Sequence, residues 1–460
     1  MDAIRYYSTN RNLSRPGFKP FTDLVSFREA LMMGQAPDGG LFMPERIPAL
    51  PRETILGFKG RPYWEAAQAV ARAYLGDLIS SPELETIVRD AYDYDIPLER
   101  VFGRTYVMRL DRGPTASFKD FAARLMSRLM SRLRDPSRRL NVFVATSGDT
   151  GSAIGEAFRG VEGIDVYILY PEKEVSPRQK QQLDTIGGNV LSLMVAGKFD
   201  DCQDMVKRAF LDPDLSRFNL TSANSINIGR VLPQCIYYLW GYAQLAEAGE
   251  EAVISVPSGN FGNAFGCEVA WRMGLPLKRL LMPTNGNDEF PDFLSSGVYR
   301  RISPSRKCLS NAMNVGHPSN LARFFDIYGG TVDKEGTVRR DPDLALMRQR
   351  IFSIAVSDEE TRSTIVEAYQ RHRLLLEPHG AVGWRGLMEY REREGDASPA
   401  ISVETAHPAK FPEEIETLLG ITPPPCPCLE GLDSRKGAPV PMENDYEAFK
   451  KFLLSRLKKK

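Results

Sequence analysis

Lys119 is the residue whose setting most needs a chemical reason. It lies in Asp111-Arg112-Gly113-Pro114-Thr115-Ala116-Ser117-Phe118-Lys119-Asp120-Phe121, behind the short apolar run Tyr106 to Leu110. The Gly-Pro turn leads into a predicted helix with Lys119 in its first turn. A cation there opposes the helix dipole, so an imine, or an amine facing an anion, suits the position better. Asp120 is the neighbour placed to offset the charge. From spacing alone, a surface lysine is the simpler reading.

Two further segments share one design. The apolar run Ala252 to Val256 enters Pro257-Ser258-Gly259-Asn260-Phe261-Gly262-Asn263, before a helix predicted from Ala264. Leu140 to Ala145 enters Thr146-Ser147-Gly148-Asp149-Thr150-Gly151, before a helix predicted from Ser152 to Phe158. Each sets glycine-permitted tight backbone, amides and small polar side chains at a helix N-terminus, a receptor for phosphate or carboxylate. Either loop alone could be a turn that binds nothing, but two opening on the same edge of their sheets weigh against that. Neither carries a nucleotide fingerprint, Gly-x-x-x-x-Gly-Lys-Ser/Thr or Gly-x-Gly-x-x-Gly in its strand-turn-helix setting.

The elements that must position these groups follow from texture. With 460 residues the chain exceeds what one hydrophobic core usually supports, so two or three domains are expected. Lys plus Arg and Asp plus Glu both number 59, which points to neither nucleic acid nor a membrane surface as partner. No apolar run approaches a membrane span, and Met1 to Tyr6 is no apolar leader, so a cytoplasmic protein is expected. Six cysteines are scattered and read as free thiols; only Cys426 and Cys428 are close, and a lone Cys-Pro-Cys lacks the pairing of a zinc site, so no metal is expected.

Residues 1–95 read as an α-rich leading region, with helical spacing over Val25 to Met32 and Trp64 to Leu75. Residues 96–420 alternate strands and helices, which predicts α/β architecture with open, mostly parallel sheets and ligands at the strands' carboxyl ends. Within them, strands are predicted near Val166 to Tyr170, Val190 to Leu193 and Ile401 to Glu404. Ser176 caps a helix with Pro177 at its first position. Helices are predicted over Asp341 to Ile354 and Asp358 to Arg373. Residues 421–460 read as a Pro-rich loop to 442, a helix from Asp445 to Leu457, and a solvated Lys458-Lys459-Lys460 tail.

Taken together, the motifs closely resemble the threonine synthase family, in its longer bacterial and fungal branch. They are Tyr7-Ser8-Thr9, Asp38-Gly39-Gly40-Leu41, Gly113-Pro114-Thr115, Phe118-Lys119-Asp120-Phe121, Ala145 to Gly151, Asn224-Ser225-Ile226-Asn227, Pro257 to Asn263, Leu309 to Met313, Glu377-Pro378-His379 and Thr405 to Phe411. They occur in family order over most of the chain. One departure is Asn10, where the family often has Arg, far in sequence from the chemistry.

The resemblance implies the second fold type of pyridoxal-phosphate enzymes, with two open α/β domains and pyridoxal 5'-phosphate between them. It implies Lys119 as the Schiff-base lysine, and Gly259, Asn260, Phe261, Gly262 and Asn263 as the cofactor-phosphate loop. It sets Thr405 against the pyridine nitrogen, where a hydroxyl makes the ring a weaker electron sink than a carboxylate would. Ser147, Asp149 and Thr150 resemble the segment that takes the substrate carboxylate; Asp149, where many relatives of the fold have Asn, marks the narrower family. The implied reaction converts O-phospho-L-homoserine and water to L-threonine and phosphate by γ-elimination and β-addition, with Lys119 also moving protons.

A substrate with two anionic ends needs more donors than these loops offer. Ser225, Asn227 and Arg230 are the candidates, Arg230 being the best phosphate partner or, equally, a helix-surface ion pair. Arg104, Arg112 and Lys410 are weaker ones. Of four histidines, His317, His372, His379 and His407, His372 reads as solvated, and His379 and His407 as structural hydrogen-bonding residues. Two other readings stay open: a phospholyase giving 2-oxobutyrate from the same substrate, and a silent homologue acting as a binding protein. A monomer is expected from the resemblance.

Overall fold

In a computed structural model, which describes residues 3–457, fifteen strands form among the described residues. They are β1 Tyr6–Ser8, β2 Phe42–Pro44, β3 Leu98–Phe102, β4 Thr105–Arg109, β5 Leu140–Ala145, β6 Ile164–Pro171, β7 Val190–Val195 and β8 Leu220–Ser222. Beyond these lie β9 Ala252–Ser255, β10 Leu277–Leu281, β11 Thr331–Val332, β12 Val338–Arg340, β13 Ile351–Phe352, β14 Ala400–Glu404 and β15 Val440–Met442. Two open sheets result. A six-stranded one has the order β13-β10-β9-β14-β4-β3, and a five-stranded one the order β15-β7-β6-β5-β8. All pairings within them are parallel except β3 with β4. The expected pair of mostly parallel α/β sheets is what the chain forms.

The cause is continuous burial. Every residue of β5, β6 and β14 is buried, as strands covered by helices on both faces must be. The α-rich leading region packs onto this core through aromatic edges. Tyr63 opens helix Tyr63–Leu75 and meets Phe121 and Trp240 at ring separations of 5.4 and 6.1 Å.

Two expectations need correction. The helix predicted over Asp341 to Ile354 is only Leu344–Arg350. Pro342 lies before it, the Asp343 carboxylate caps it at the Leu346 amide (2.9 Å), and Ile351 leaves it to pair with Leu280 of β10. The Pro-rich segment also ends in β15, not in loop. Pro441 can sit there because β15 is an edge strand, needing a ladder on one side only. Helix Tyr446–Leu457 covers the same sheet, burying Phe449 and Leu453 among Phe143, Tyr167 and Leu193. The Lys458 to Lys460 tail lies outside the described residues.

Candidate active site

Lys119 is the first residue of helix Lys119–Leu133. Its backbone is tied to the end of β14: the Phe118 amide donates to Thr405 O (3.0 Å), and His407 N donates to Ala116 O (3.1 Å). Ala116 holds a left-handed φ of 55° in this turn. Thr405 is buried at the same junction. The turn therefore brings residues 119 and 405 together from distant parts of the chain.

Lys119 is not a surface lysine, since its side chain is 14% exposed, and Asp120 is not its partner. The Asp120 carboxylate accepts from Thr115 N (2.9 Å) and Thr115 Oγ1 (2.6 Å), bracing the turn. Neighbours in sequence do not face each other on a helix. Asp149 faces Lys119 instead, with Nζ to Oδ2 at 3.5 Å. Asp149 Oδ1 also accepts from Lys410 Nζ (2.8 Å) and Gln179 Nε2 (3.1 Å). Lys410 donates onward to Thr115 O at 2.9 Å.

The electrostatics follow. Burial works against charge on Asp149, yet Lys410 and Lys119 hold its carboxyl far below the usual carboxylate range. Burial pushes the Lys119 amine below the usual lysine value; Asp149 opposes this, while Lys410 and Arg230 add to it. Lowered basicity favours the neutral amine, the form that attacks carbonyls and takes up protons.

The first anion loop is built by Thr146. Its hydroxyl accepts from the Gly148 and Gly151 amides, both at 2.9 Å, and starts the helix at Asp149, three residues before the predicted Ser152. Asp149 and Thr150 thus stand in its first turn, and Ser147 just precedes it. The carboxylate of Asp149 is committed to lysines, so an anion at this loop would meet amides and hydroxyls.

The second loop ends in helix Gly262–Arg272, two residues earlier than predicted. Phe261 precedes it in a left-handed conformation, φ 61°. A Cβ on Gly259 would lie 2.7 Å from Met313 Cα, so that close approach needs glycine. Asn260 is clamped: Nδ2 donates to Ser225 Oγ (2.7 Å), and Oδ1 accepts from Ser319 N (2.6 Å). Asn263 Oδ1 accepts from both Tyr237 and Tyr238 hydroxyls, which turns its amide nitrogen the other way. That Nδ2 is buried without a partner, beside helix amides that have no acceptor within the helix. A buried donor left unpaired is costly, and a phosphate group fits it.

Ser225 Oγ accepts from Asn260 and also from Asn320 Nδ2 (3.3 Å), which leaves its own proton to donate. Arg230 is no surface ion pair: it is buried, Nη1 donates to Ala223 O (2.7 Å), and Nε has no partner. Burial pushes its guanidinium down to about 10. Asn227 is removed from the anion donors. It caps helix Ile228–Val231, with Oδ1 accepting from Gly229 N, and both amide hydrogens go to Leu31 O and Ser222 O (2.9 Å each).

Of the weaker candidates, only Lys410 reaches the site. Arg104 pairs with Glu250, and Arg112 lies 3.5 Å from Asp111 with a half-exposed side chain. Sequence reasoning missed Gln179, which also completes a capping box with Ser176. It also missed Asn320 and the fully buried Arg323, which donates to Ser225 O (3.0 Å) and Ile226 O (2.7 Å). His379 and His407 have the expected bonds. His379 Nδ1 donates to Glu377 Oε2 (2.5 Å) and Nε2 accepts from Ala312 N (3.1 Å), while His407 Nδ1 accepts from Ala409 N (3.1 Å). His372 is exposed and stacks on Phe102.

Two open, mostly parallel α/β sheets, a buried lysine of lowered basicity tied to the end of β14, and a helix-start loop with an unpaired buried donor are the arrangement of a pyridoxal-phosphate enzyme of the second fold type. The comparisons agree. Residues 96–403 match the family model described as pyridoxal-phosphate dependent enzyme, residues 5–92 match threonine synthase N terminus, and residues 380–453 match threonine synthase, C-terminal. A threonine synthase of Haemophilus influenzae is 38% identical over 94% of this chain and 97% of its own. The structure of pyridoxal-phosphate-bound threonine synthase from Brucella melitensis superposes with a TM-score of 0.89 at 31% identity, covering 99% of this chain and all of that one. The yeast threonine synthase structure gives 0.87 at 30% identity over 99% of both chains. The chain belongs to the threonine synthase family.

Proposed function

We propose that the chain converts O-phospho-L-homoserine and water to L-threonine and phosphate. The observation that carries this reading is a pair of buried donors without partners, Asn263 Nδ2 and Arg230 Nε, of which Arg230 acts electrostatically on Lys119. They fit two phosphates, the cofactor's and the substrate's. Lys119 Nζ would hold the cofactor aldehyde, the Gly259, Asn260, Phe261, Gly262 and Asn263 loop its phosphate, and Thr405 its pyridine nitrogen. When bound, pyridoxal phosphate withdraws electrons from the substrate carbons and so acidifies their protons.

The chain's own groups do the rest. Ser147 and Thr150, with the amides of their loop, orient the substrate carboxylate. Arg230 and Ser225 grip its phosphate and stabilise the charge as that group leaves. Lys119, released from its covalent link by the substrate amine, takes the α-proton and delivers protons along the carbon chain. Burial lowers its basicity, which favours the neutral amine that accepts a proton. Asp149, between two lysines, sets where Nζ lies. The reaction is expected in a cytoplasmic, monomeric protein with a small-molecule substrate as partner. No described helix is long and apolar enough to cross a membrane.

The test is incubation of cofactor-loaded protein with O-phosphohomoserine, with phosphate, threonine and 2-oxobutyrate all measured. Equal phosphate and threonine are expected, with Lys119→Ala losing both turnover and the cofactor's visible absorbance. Phosphate with 2-oxobutyrate and no threonine would replace the synthase by a phospholyase. A colourless wild type without turnover would leave a silent homologue.

A further inference from the structure

The Cys-Pro-Cys segment gains a neighbour that its sequence did not reveal. Cys426 Sγ and Cys428 Sγ lie 3.1 Å apart across Pro427. Both are free thiols; Cys426 is buried and Cys428 is half-buried. Their cluster holds Cys426, Leu429 and Leu432 against Ala116 and Ala409, with Cys428 packed on it. Ala116 is the left-handed residue of the Lys119 turn, and Ala409 immediately precedes Lys410. The sulfurs therefore rest on the back of the two segments that deliver Lys119 and Lys410 to Asp149.

We propose that Cys426 and Cys428 form a dithiol–disulfide site, oxidised by peroxide, whose closure displaces the Lys119 and Lys410 segments. The Cys426 thiolate attacks one oxygen of hydrogen peroxide, the O–O bond breaks, and hydroxide leaves a sulfenic acid. Cys428 Sγ then attacks that sulfur, an S–S bond forms, and the second oxygen leaves as hydroxide. The two thiol protons turn both hydroxides into water. The sulfur pair loses two electrons and the peroxide gains them. The Cys428 thiol, donating toward Cys426, lowers the basicity of Cys426, which favours it as the attacking thiolate.

An S–S bond is about 2.05 Å long, so closure draws the sulfurs together by about 1 Å from their separation of 3.1 Å. A shift of that size in groups that position a reacting amine can cost up to about a hundredfold in rate. No other cysteine offers this geometry among the described residues. Cys202, Cys235 and Cys267 are buried and Cys308 half-buried, and none of them makes a thiol–thiol contact like that of Cys426 with Cys428.

Cofactor-loaded full-length protein is titrated with hydrogen peroxide and read by intact mass, by peptide mapping after alkylation, and by the cofactor's visible absorbance. The expected result is a mass lower by about 2 Da, with the Cys426–Cys428 peptide protected from alkylation. A shifted cofactor band should accompany it, and dithiothreitol should reverse both changes. Cys428→Ser and, separately, Cys426→Ser should abolish the mass loss and hold the band unchanged under peroxide. Oxygen additions that thiols do not reverse, or protection at other cysteines, would overturn the site. A disulfide that forms with an unshifted band would overturn its coupling to Lys119. Mass and absorbance need no substrate, so failure of the proposed reaction is a separate outcome.

Discussion

Asp149→Asn isolates the feature on which the site depends. The substitution keeps the shape of the side chain and removes a charge facing Lys119 Nζ at 3.5 Å and Lys410 Nζ at 2.8 Å. Coulomb's law with an effective dielectric of about 20 gives about 5 kcal/mol for the longer pair and about 6 for the shorter. Desolvation offsets much of this, and breaking a buried pair from one side costs about 3–5 kcal/mol, because the other charge is left buried. Lys410 is that charge: its side chain is 2% exposed. Asp149→Asn should therefore lower unfolding free energy by about 3–5 kcal/mol at pH 7 in denaturant titrations of the apoprotein. The sign with pH follows from the depressed carboxyl. Its stabilisation is fully present above the unfolded aspartate value of about 3.9 and declines as pH falls below it, so the wild-type advantage should shrink in acid. Lys410→Met added to Asp149→Asn removes the stranded charge and should recover most of the loss. If the single substitution costs under about 1 kcal/mol, or the double variant is worse by the full sum, Asp149 is not the hub of the site.

Other consequences are as direct. Arg230→Met should lower kcat/KM for O-phosphohomoserine roughly ten- to a hundredfold, the range for a charge-assisted hydrogen bond, and weaken inhibition by inorganic phosphate; unchanged phosphate inhibition would remove Arg230 from the substrate site. Asn263→Asp keeps the acceptor that Tyr237 and Tyr238 share, while replacing the free amide by a negative charge. Cofactor retention on dialysis should fall at least about tenfold with the apoprotein still folded, and undiminished retention would rule out that amide as a phosphate donor. Gly380→Ala puts a Cβ onto Glu404 Oε2 inside the third residue of helix Pro378–Glu394. Glu404 is fully buried, so a loss of about 1–3 kcal/mol or more is expected; a neutral effect in thermal unfolding would show that Glu404 yields.

What the sequence disclosed was local. The loops at Thr146 and Pro257 were readable because glycines, small polar residues and apolar runs specify a strand-to-helix turn within about ten residues. Even there the helix starts were late, since Thr146 caps two amides ahead of the apolar pattern. Partners across the fold were hidden. Asp149 meets Lys410 across 261 residues and Gln179 across 30, distances over which no periodicity operates. Asp120, the obvious partner of Lys119, was the wrong one because adjacent helical residues diverge. Asn227 was misplaced for a related reason: an Asn in a polar cluster reads equally as a ligand or a cap, and only the positions of Leu31 O and Ser222 O separate them. β15 was hidden by its proline, which is tolerated only at an edge that sequence does not reveal.

The same geometry explains why Lys410 belongs to the site although no step of the proposed reaction needs it as an acid or base. Asp149 stands at the end of β5 in the five-stranded sheet, whereas Lys410 follows β14 and the Lys119 turn is hydrogen-bonded to Thr405 in the six-stranded one. The carboxylate is thus a bridge between the sheets with two cationic partners. In the proposed reaction, covalent capture of Lys119 Nζ would alter one of them while the site must stay assembled. Lys410 is the partner that does not change: it is closer, at 2.8 Å against 3.5 Å, and its second bond to Thr115 O ties it to the very turn that presents Lys119. The proposed reaction thus pairs a lysine that would react with one that would not, and Lys410 holds Asp149 and the Lys119 turn in register through its two bonds.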